Sequence, residues 1–261
     1  MLALLTAAVL ATTPCSAPTG TEALWLPEAR FVVVGEMHGT TETPAAFAAM
    51  VCAAAEQGPV TVALELPQAM QPQLDAFLAA PDAEAAVATL NGTTFLNLKM
   101  ADGRSSTAML AMLEAVRELK AEGRDVAFHA FQPNRSRPRS LSQNYYELDM
   151  AVGLTDALHA RPEARVLVLV GNIHARKTHL ERFDLMPATA LLPAKEVVSL
   201  FVVQQGGTAW NCGTDTCGAN PMISTYDAAA RGVILTPYGE GAFDGVLALG
   251  PVTASPPVAE D

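Results

Sequence analysis

The chain has 261 residues, of which 50% are hydrophobic and 16% charged, so it is long enough to bury a full core. Its 16 basic and 27 acidic residues give a net charge of −11. This balance argues against nucleic acid or an anionic membrane as a partner, because both attract clustered Lys and Arg. A small-molecule or peptide substrate is compatible with it, and the oligomeric state is left open. One large domain is expected, over residues 18–254.

Residues 1–17 have the composition of an export signal. They carry no charged side chain, include an apolar run at residues 2–9, and end in small residues at Ala17. That run is too short to span a membrane, and no other segment could cross one. The pattern predicts a signal peptide cleaved near Ala17 and a periplasmic or extracellular protein. A buried N-terminal helix is the alternative.

The cysteines are interpreted in the light of export. Cleavage near Ala17 would remove Cys15 and leave three of the four cysteines. Cys212 and Cys217 flank a stretch rich in turn-forming residues, which predicts a short disulfide loop outside the cytosol. The same two could instead be metal ligands, although no second Cys pair accompanies them. Cys52 lies in an apolar stretch and is predicted to be a free, buried, small hydrophobe.

Apolar strand-like runs alternate with helical patterns along the chain. The strands are predicted at residues 31–34, 60–64, 125–131, 165–170 and 197–203. Between the strands lie predicted helices, the first ending at residue 56 and the others at residues 68–80, 82–90, 106–122 and 140–159. This alternation predicts a single α/β domain, in which a mostly parallel central sheet has helices on both faces.

The C-terminal part is predicted to close the sheet. Residues 233–235 and 244–249 are short apolar runs that could pair as an antiparallel edge. Residues 255–261 form a Pro-rich acidic tail, which is predicted to be loose.

Two loops carry arginines that could bind substrate. Residues 91–106 form a long polar loop with Arg104 near its end, either a lid over a site or a plain surface excursion. Residues 134–139 contain three arginines, among them Arg135, which could steer an anionic group. A solvated loop is the alternative for this second segment.

Three predicted strands each deliver a His or Glu at their carboxyl end. Glu36 and His38 follow the first strand, Glu65 ends the second, and His174 follows the fourth within Gly-Asn-Ile-His. Ligands of open α/β sheets bind beyond the carboxyl ends of the strands. We therefore expect these four side chains to form one site.

Two imidazoles and two carboxylates suit Zn, Mn, Fe or Co better than Ca or Mg. Such an ion would polarise a carbonyl and activate water, with one carboxylate, Glu65, left as a general base. The same groups could work without metal, a His acting as the base and a Glu orienting it. The sequence has no Gly-x-Ser-x-Gly elbow, Walker loop or dinucleotide-binding glycine fingerprint.

The combination of Gly-Glu-Met-His-Gly-Thr, the strand end Leu-Glu-Leu-Pro and Gly-Asn-Ile-His resembles the Tiki/TraB, erythromycin-esterase and ChaN-like superfamily. The resemblance covers most of residues 30–251, and residues 246–256 are similar to the end of ChaN-like chains. It implies a parallel α/β core with the Glu and His residues at the strand ends. In the helix containing Tyr-Tyr-Glu-Leu-Asp-Met-Ala, many relatives carry an Arg that is absent here.

Activities attributed to that superfamily differ, and two functions are therefore expected. The first is an exported, metal-dependent hydrolase of ester or amide bonds, whose site residues are Glu36, His38, Glu65 and His174. The second is a ChaN-like haem- or iron-binding protein without turnover, in which Tyr145 and Tyr146 would face the iron.

Overall fold

Strands and helices alternate along the part of the chain that this computed structural model describes, which is residues 15–96, 102–134, 143–212 and 217–258. The helices are α1 (Glu42–Ala55), α2 (Gln71–Ala79), α3 (Ala83–Ala88), α4 (Thr107–Ala121) and α5 (Gln143–Ala160). The strands are β1 (Phe31–Glu36), β2 (Val60–Pro67), β3 (Val126–Gln132), β4 (Arg165–Gly171), β5 (Val197–Val202), β6 (Thr208–Cys212), β7 (Cys217–Pro221), β8 (Gly232–Ile234) and β9 (Gly245–Ala248).

Seven of these strands form one sheet in the order β3-β2-β4-β1-β5-β9-β8. All neighbours are parallel except β8, which pairs with β9 in the antiparallel sense. The predicted antiparallel edge near the C-terminus is therefore confirmed. Strands β6 and β7 form a separate antiparallel hairpin. Parallel order follows from the helical crossovers, because a parallel pair needs a long connection that a tight turn cannot supply.

Each face of the sheet is covered by its own hydrophobic cluster. Side chains alternate along β1, so that Val32 and Val34 pack with residues of α1 to α4 on one face. Phe31 and Val33 pack with α5 and with residues 175–192 on the other face. The prediction of one α/β domain with helices on both faces is confirmed. The sheet strands are continuous apolar runs, because both faces of the sheet are buried.

The C-terminal segment is packed against α4, which corrects the prediction of a loose tail as far as residue 258. Ser255 is 1% exposed, and its Oγ accepts a hydrogen bond from the backbone N–H of Ala108 at 2.9 Å. The backbone N–H of Thr107 donates to the carbonyl of Pro256 at 2.9 Å. The tail is ordered because it satisfies donors at the first turn of a helix, which would otherwise lack partners.

Two disulfides are present, and one of them overturns a prediction. Cys212 pairs with Cys217 across the β6–β7 hairpin, as predicted. Cys52 is not a free hydrophobe, because it is bonded to Cys15, 37 residues earlier. Cleavage near Ala17 before folding would remove Cys15, and this disulfide could then not form. Among the described residues, no helix is long and apolar enough to cross a membrane.

Candidate active site

Three adjacent strands carry the predicted site residues to one edge of the sheet. Strand β4 lies between β2 and β1, and Glu36 at the end of β1 is in register with Gly171 at the end of β4. Glu65 lies near the end of β2, which pairs with the other side of β4. Because these strands are parallel, their carboxyl ends meet at the same edge, where the crossing loops leave a crevice.

The first polar pair, Glu36 with His38, lies within one short turn. Glu36 is 3% exposed, and its Oε1 lies 3.0 Å from Nδ1 of His38. The other ring nitrogen, Nε2, lies 3.5 Å from Oε2 of Glu65. A carboxylate on Nδ1 orients an imidazole and favours its protonated form.

The second pair, Glu147 with His174, repeats this arrangement with residues distant in sequence. Glu147 on α5 is fully buried, and its Oε2 lies 2.8 Å from Nδ1 of His174. The same oxygen accepts the backbone N–H of Ala188 at 2.9 Å. Nε2 of His174 lies 3.9 Å from Oε1 of Glu65. Both imidazoles thus present Nε2 towards one carboxylate.

Glu65 is held in place by two nitrogen donors. Its Oε2 accepts the backbone N–H of Gly171 at 2.8 Å, and its Oε1 lies 3.0 Å from Nη1 of Arg104. Arg104 also binds Asp102, with 2.6 Å between Nη2 and Oδ2. A Cβ at Gly171 would lie 3.3 Å from Nε2 of His38, so glycine keeps this crowded centre open.

These contacts separate the proton affinities of the site. Burial opposes the charge on His38, but its hydrogen bonds to Glu36 and Glu65 prevail and raise its pKa to about 10. Burial also opposes the charge on His174, and the bond to Glu147 raises its pKa although the charge of His38 counteracts it. The pKa of Glu65 is lowered despite its burial, because His38, His174 and Arg104 surround it. Glu65 is therefore a poor proton acceptor.

The turn after His38 is fixed by contacts with three other segments. Gly39 has a φ of 85°, and a Cβ there would lie 2.0 Å from the carbonyl oxygen of Trp210. Its carbonyl accepts the backbone N–H groups of Trp210 at 2.8 Å and Ser255 at 2.9 Å. A Cβ on Gly103, between Asp102 and Arg104, would lie 2.2 Å from the Gly39 nitrogen. The β6–β7 hairpin, the C-terminal segment and the loop that contains Arg104 all contact this turn.

A cleft of about 270 Å³ opens at the two histidines. Its lining residues are Glu36, Met37, His38, Gly171, Asn172, Ile173 and His174. The cleft gives a small ligand access to both imidazoles.

The structure brings together the four residues predicted to form one site. Arg104 also lies there, but its guanidinium contacts Glu65 and Asp102. Tyr146 is a neighbour of His174, with ring centroids 6.1 Å apart, and Tyr145 is half exposed on α5. Arg135 lies outside the described residues.

Sequence reasoning missed Glu147 and Asp102 as members of the site. For Glu147 a signal exists: it shares a helical face with Met150, Ala151 and Leu154, all buried. A glutamate within an apolar stripe needs a partner, because burying an unpaired carboxylate is costly. No comparable pattern marks Asp102, which lies in an irregular loop.

The predicted metal ligands contact one another and Arg104 in this structure. Both oxygens of Glu65 already accept from N–H groups, and the positive charge of Arg104 lies beside the position that a cation would share. Within the described ranges, no group of three or more His, Cys, Asp or Glu side chains is placed to hold a metal. Tyr146, one of the two tyrosines predicted to face a haem iron, already has a protein partner: its hydroxyl accepts a hydrogen bond from the side-chain amide of Gln132 at 2.9 Å. Metal and haem both remain predictions from sequence.

Fold and site together define a class: an α/β protein with a Glu/His site at the carboxyl ends of adjacent parallel strands. No protein-family model and no curated protein matches the sequence.

Solved structures match the fold over most of the chain. A Bacillus cereus protein has a TM-score of 0.56 and 12% identity, covering 88% of this chain and 90% of that chain. A succinoglycan biosynthesis protein has a TM-score of 0.56 and 11% identity, with coverages of 88% and 90%. A mutant of erythromycin esterase EreC in its open conformation has a TM-score of 0.49 and 11% identity, with coverages of 87% and 91%. Identities this low show a shared fold and nothing about activity.

Proposed function

We propose that the protein is an exported hydrolase of ester or amide bonds that uses both Glu–His pairs. The observation that carries this proposal is the convergence of two imidazoles on one cleft, each with Nδ1 on a buried carboxylate. Two imidazoles with different proton affinities can supply both a proton acceptor and a proton donor. Hydrolysis of a carbonyl compound needs both, the first for water and the second for the leaving group.

The two histidines take different roles in this reaction. His38 holds its proton at neutral pH, because its pKa is raised to about 10 by Glu36 and Glu65. It stabilises the developing oxyanion and then gives its proton to the leaving alcohol or amine. His174 is the proton acceptor in this scheme: Glu147 holds its Nδ1, and although its pKa is raised, burial and the charge of His38 oppose that rise. Its Nε2 takes a proton from the water whose oxygen bonds to the carbonyl carbon.

Glu65 acts by position and charge in this scheme. The N–H groups of Gly171 and Arg104 fix its two oxygens between the histidines. Its negative charge supports the protonated form of His38, so Glu65 sets the proton balance without itself taking a proton.

Export is supported by the cysteines. Disulfides persist in oxidising compartments such as the periplasm or the extracellular space, and all four cysteines are bonded here. The Cys15–Cys52 bond favours retention of Cys15 in the exported chain, and the proposal is therefore that any cleavage lies before residue 15.

The test uses purified protein with p-nitrophenyl esters and matched anilides, at neutral pH. His38→Ala and His174→Ala are each expected to lower kcat by ~10²–10⁴, the usual effect of losing a general acid or base. His179→Ala is the matched control, because His179 is partly exposed, at 30%, and pairs with Glu181 and Asp184 instead of Glu65. Circular dichroism checks that the folds are equal.

Metal dependence is tested in the same assay. Metal analysis is expected to find no stoichiometric metal, because Glu65 is bound by Arg104 and Gly171. Treatment with a chelator is expected to leave the rate unchanged for the same reason. A rate that falls on chelation and returns with Zn or Mn would instead assign the metal predicted from sequence. Absence of hydrolysis, or full activity in both histidine variants, contradicts the proposal, and a Soret band would favour haem binding.

A further inference from the structure

The walls of the cleft beside the histidines carry two large apolar side chains. Met37 lies between Glu36 and His38, and Ile173 directly precedes His174. Ile173 is 41% exposed, which is high for an isoleucine in the midst of a charged site. Covering an apolar side chain at the mouth of such a cleft with an apolar part of a ligand stabilises the complex, because apolar surface is removed from water.

The charges around the cleft disfavour an anionic ligand. Glu36, Glu65 and Glu147 are buried close to the two imidazoles. Arg104, which could have bound a substrate carboxylate, is already shared by Glu65 and Asp102. Even with His38, His174 and Arg104 all cationic, the four carboxylates Glu36, Glu65, Glu147 and Asp102 outnumber them, so an incoming carboxylate would meet a net negative charge and find the nearby guanidinium engaged.

The size of the cleft limits what it can enclose. Its volume of about 270 Å³ is below the ~300–1,000 Å³ of clefts that enclose whole drug-sized ligands. The cleft therefore suits one part of a substrate, with the remainder extending to the surface.

We infer that the substrate of this site is a neutral ester or amide that places a short apolar acyl group against Met37 and Ile173. This inference rests on the proposed hydrolase function and adds the substrate class to it. The carbonyl lies at the two imidazoles, the acyl chain covers the apolar wall, and the leaving group extends out of the cleft.

The first test compares p-nitrophenyl acetate, butyrate and hemisuccinate as substrates. Each buried methylene is expected to raise kcat/KM about fourfold, so butyrate exceeds acetate by roughly 16-fold. Hemisuccinate, an anion with the same number of acyl carbons as butyrate, is expected to fall roughly tenfold or more below butyrate, because like charges oppose its entry. Ile173→Ser should reduce the butyrate-to-acetate ratio towards one. Ile223→Ser is the control, because Ile223 is 67% exposed and does not line the cleft.

A second measurement separates this inference from the hydrolase proposal. Ligand-observed NMR follows binding of two ketones that cannot be hydrolysed, neutral 2-pentanone and anionic levulinate. Tighter binding of 2-pentanone than of levulinate, together with weaker binding of 2-pentanone in Ile173→Ser, supports the inference, even if no ester is cleaved and the hydrolase proposal fails. Equal or tighter binding of levulinate, or a better rate with hemisuccinate, overturns it. An unchanged chain-length dependence in Ile173→Ser, or no binding of either ketone, also overturns it.

Discussion

The two Glu–His pairs of the site have the same geometry but different origins in the sequence. Glu36 and His38 are two residues apart and leave the same strand end. Glu147 and His174 are 27 residues apart, on a helix and a strand end that meet only in the folded chain. In both pairs a buried carboxylate binds Nδ1 and leaves Nε2 for the cleft. Local motifs reveal the first pair completely and only one half of the second.

The disulfides show the same contrast. Cys212 and Cys217 are five residues apart and were predicted to pair from the turn composition between them. Cys15 and Cys52 are 37 residues apart, and the sequence pattern places Cys15 within the predicted signal peptide. Partners close in sequence are constrained to be close in space, whereas distant partners meet only through the packing of whole elements.

The largest expected effect tests whether the distant pair matters as much as the local one. Glu36→Gln and Glu147→Gln should each lower kcat by ~10²–10⁴, because a neutral amide orients Nδ1 but no longer stabilises the imidazolium. Steady-state kinetics on p-nitrophenyl butyrate provide the measurement. Glu163→Gln, at an exposed glutamate, is the control. Full activity in Glu147→Gln would mean that the local pair works alone.

The next effect compares the two disulfides. The double variant Cys15→Ser with Cys52→Ser should lose about 4 kcal/mol of unfolding free energy. Cys212→Ser with Cys217→Ser should lose about 2, because the shorter loop restricts the unfolded chain less. Urea unfolding measures both values.

Thiol mapping of exported protein checks the pairing itself. A free Cys52 thiol in a chain that begins after Ala17 would refute the Cys15–Cys52 bond and restore the original cleavage prediction.

The last prediction concerns pH and His38, the histidine of the local pair. The folded-state pKa of His38 is about 10, raised from the ordinary value of 6.5. The stability that protonated His38 contributes to the folded protein is therefore fully present below about pH 6.5 and is lost as the pH rises towards 10. The melting temperature of the wild type should fall over this window relative to its value at pH 6. His38→Gln should show a flatter profile, and parallel profiles for the two proteins would contradict the assignment.

Much of the fold and four of the site residues could be predicted from the sequence, because they depend on the spacing of residues within short segments. The β-branched runs define strands buried on both faces, and their polar ends place Glu36, His38, Glu65 and His174 at one edge. The C-terminal tail was misjudged because its Pro-rich composition indicates a loose segment, whereas Ser255 binds donors of a helix start more than a hundred residues away.

The sequence by itself determined the α/β class, the parallel sheet and four polar residues at its carboxyl edge, since each depends on periodicity within a few residues. Only the tertiary structure decided that Glu147 supports His174, that Arg104 binds Glu65, and that Cys15 bonds to Cys52. These contacts join segments 27 to 39 residues apart. Their formation depends on how helices and loops pack onto the sheet, and no local pattern of side chains specifies that packing.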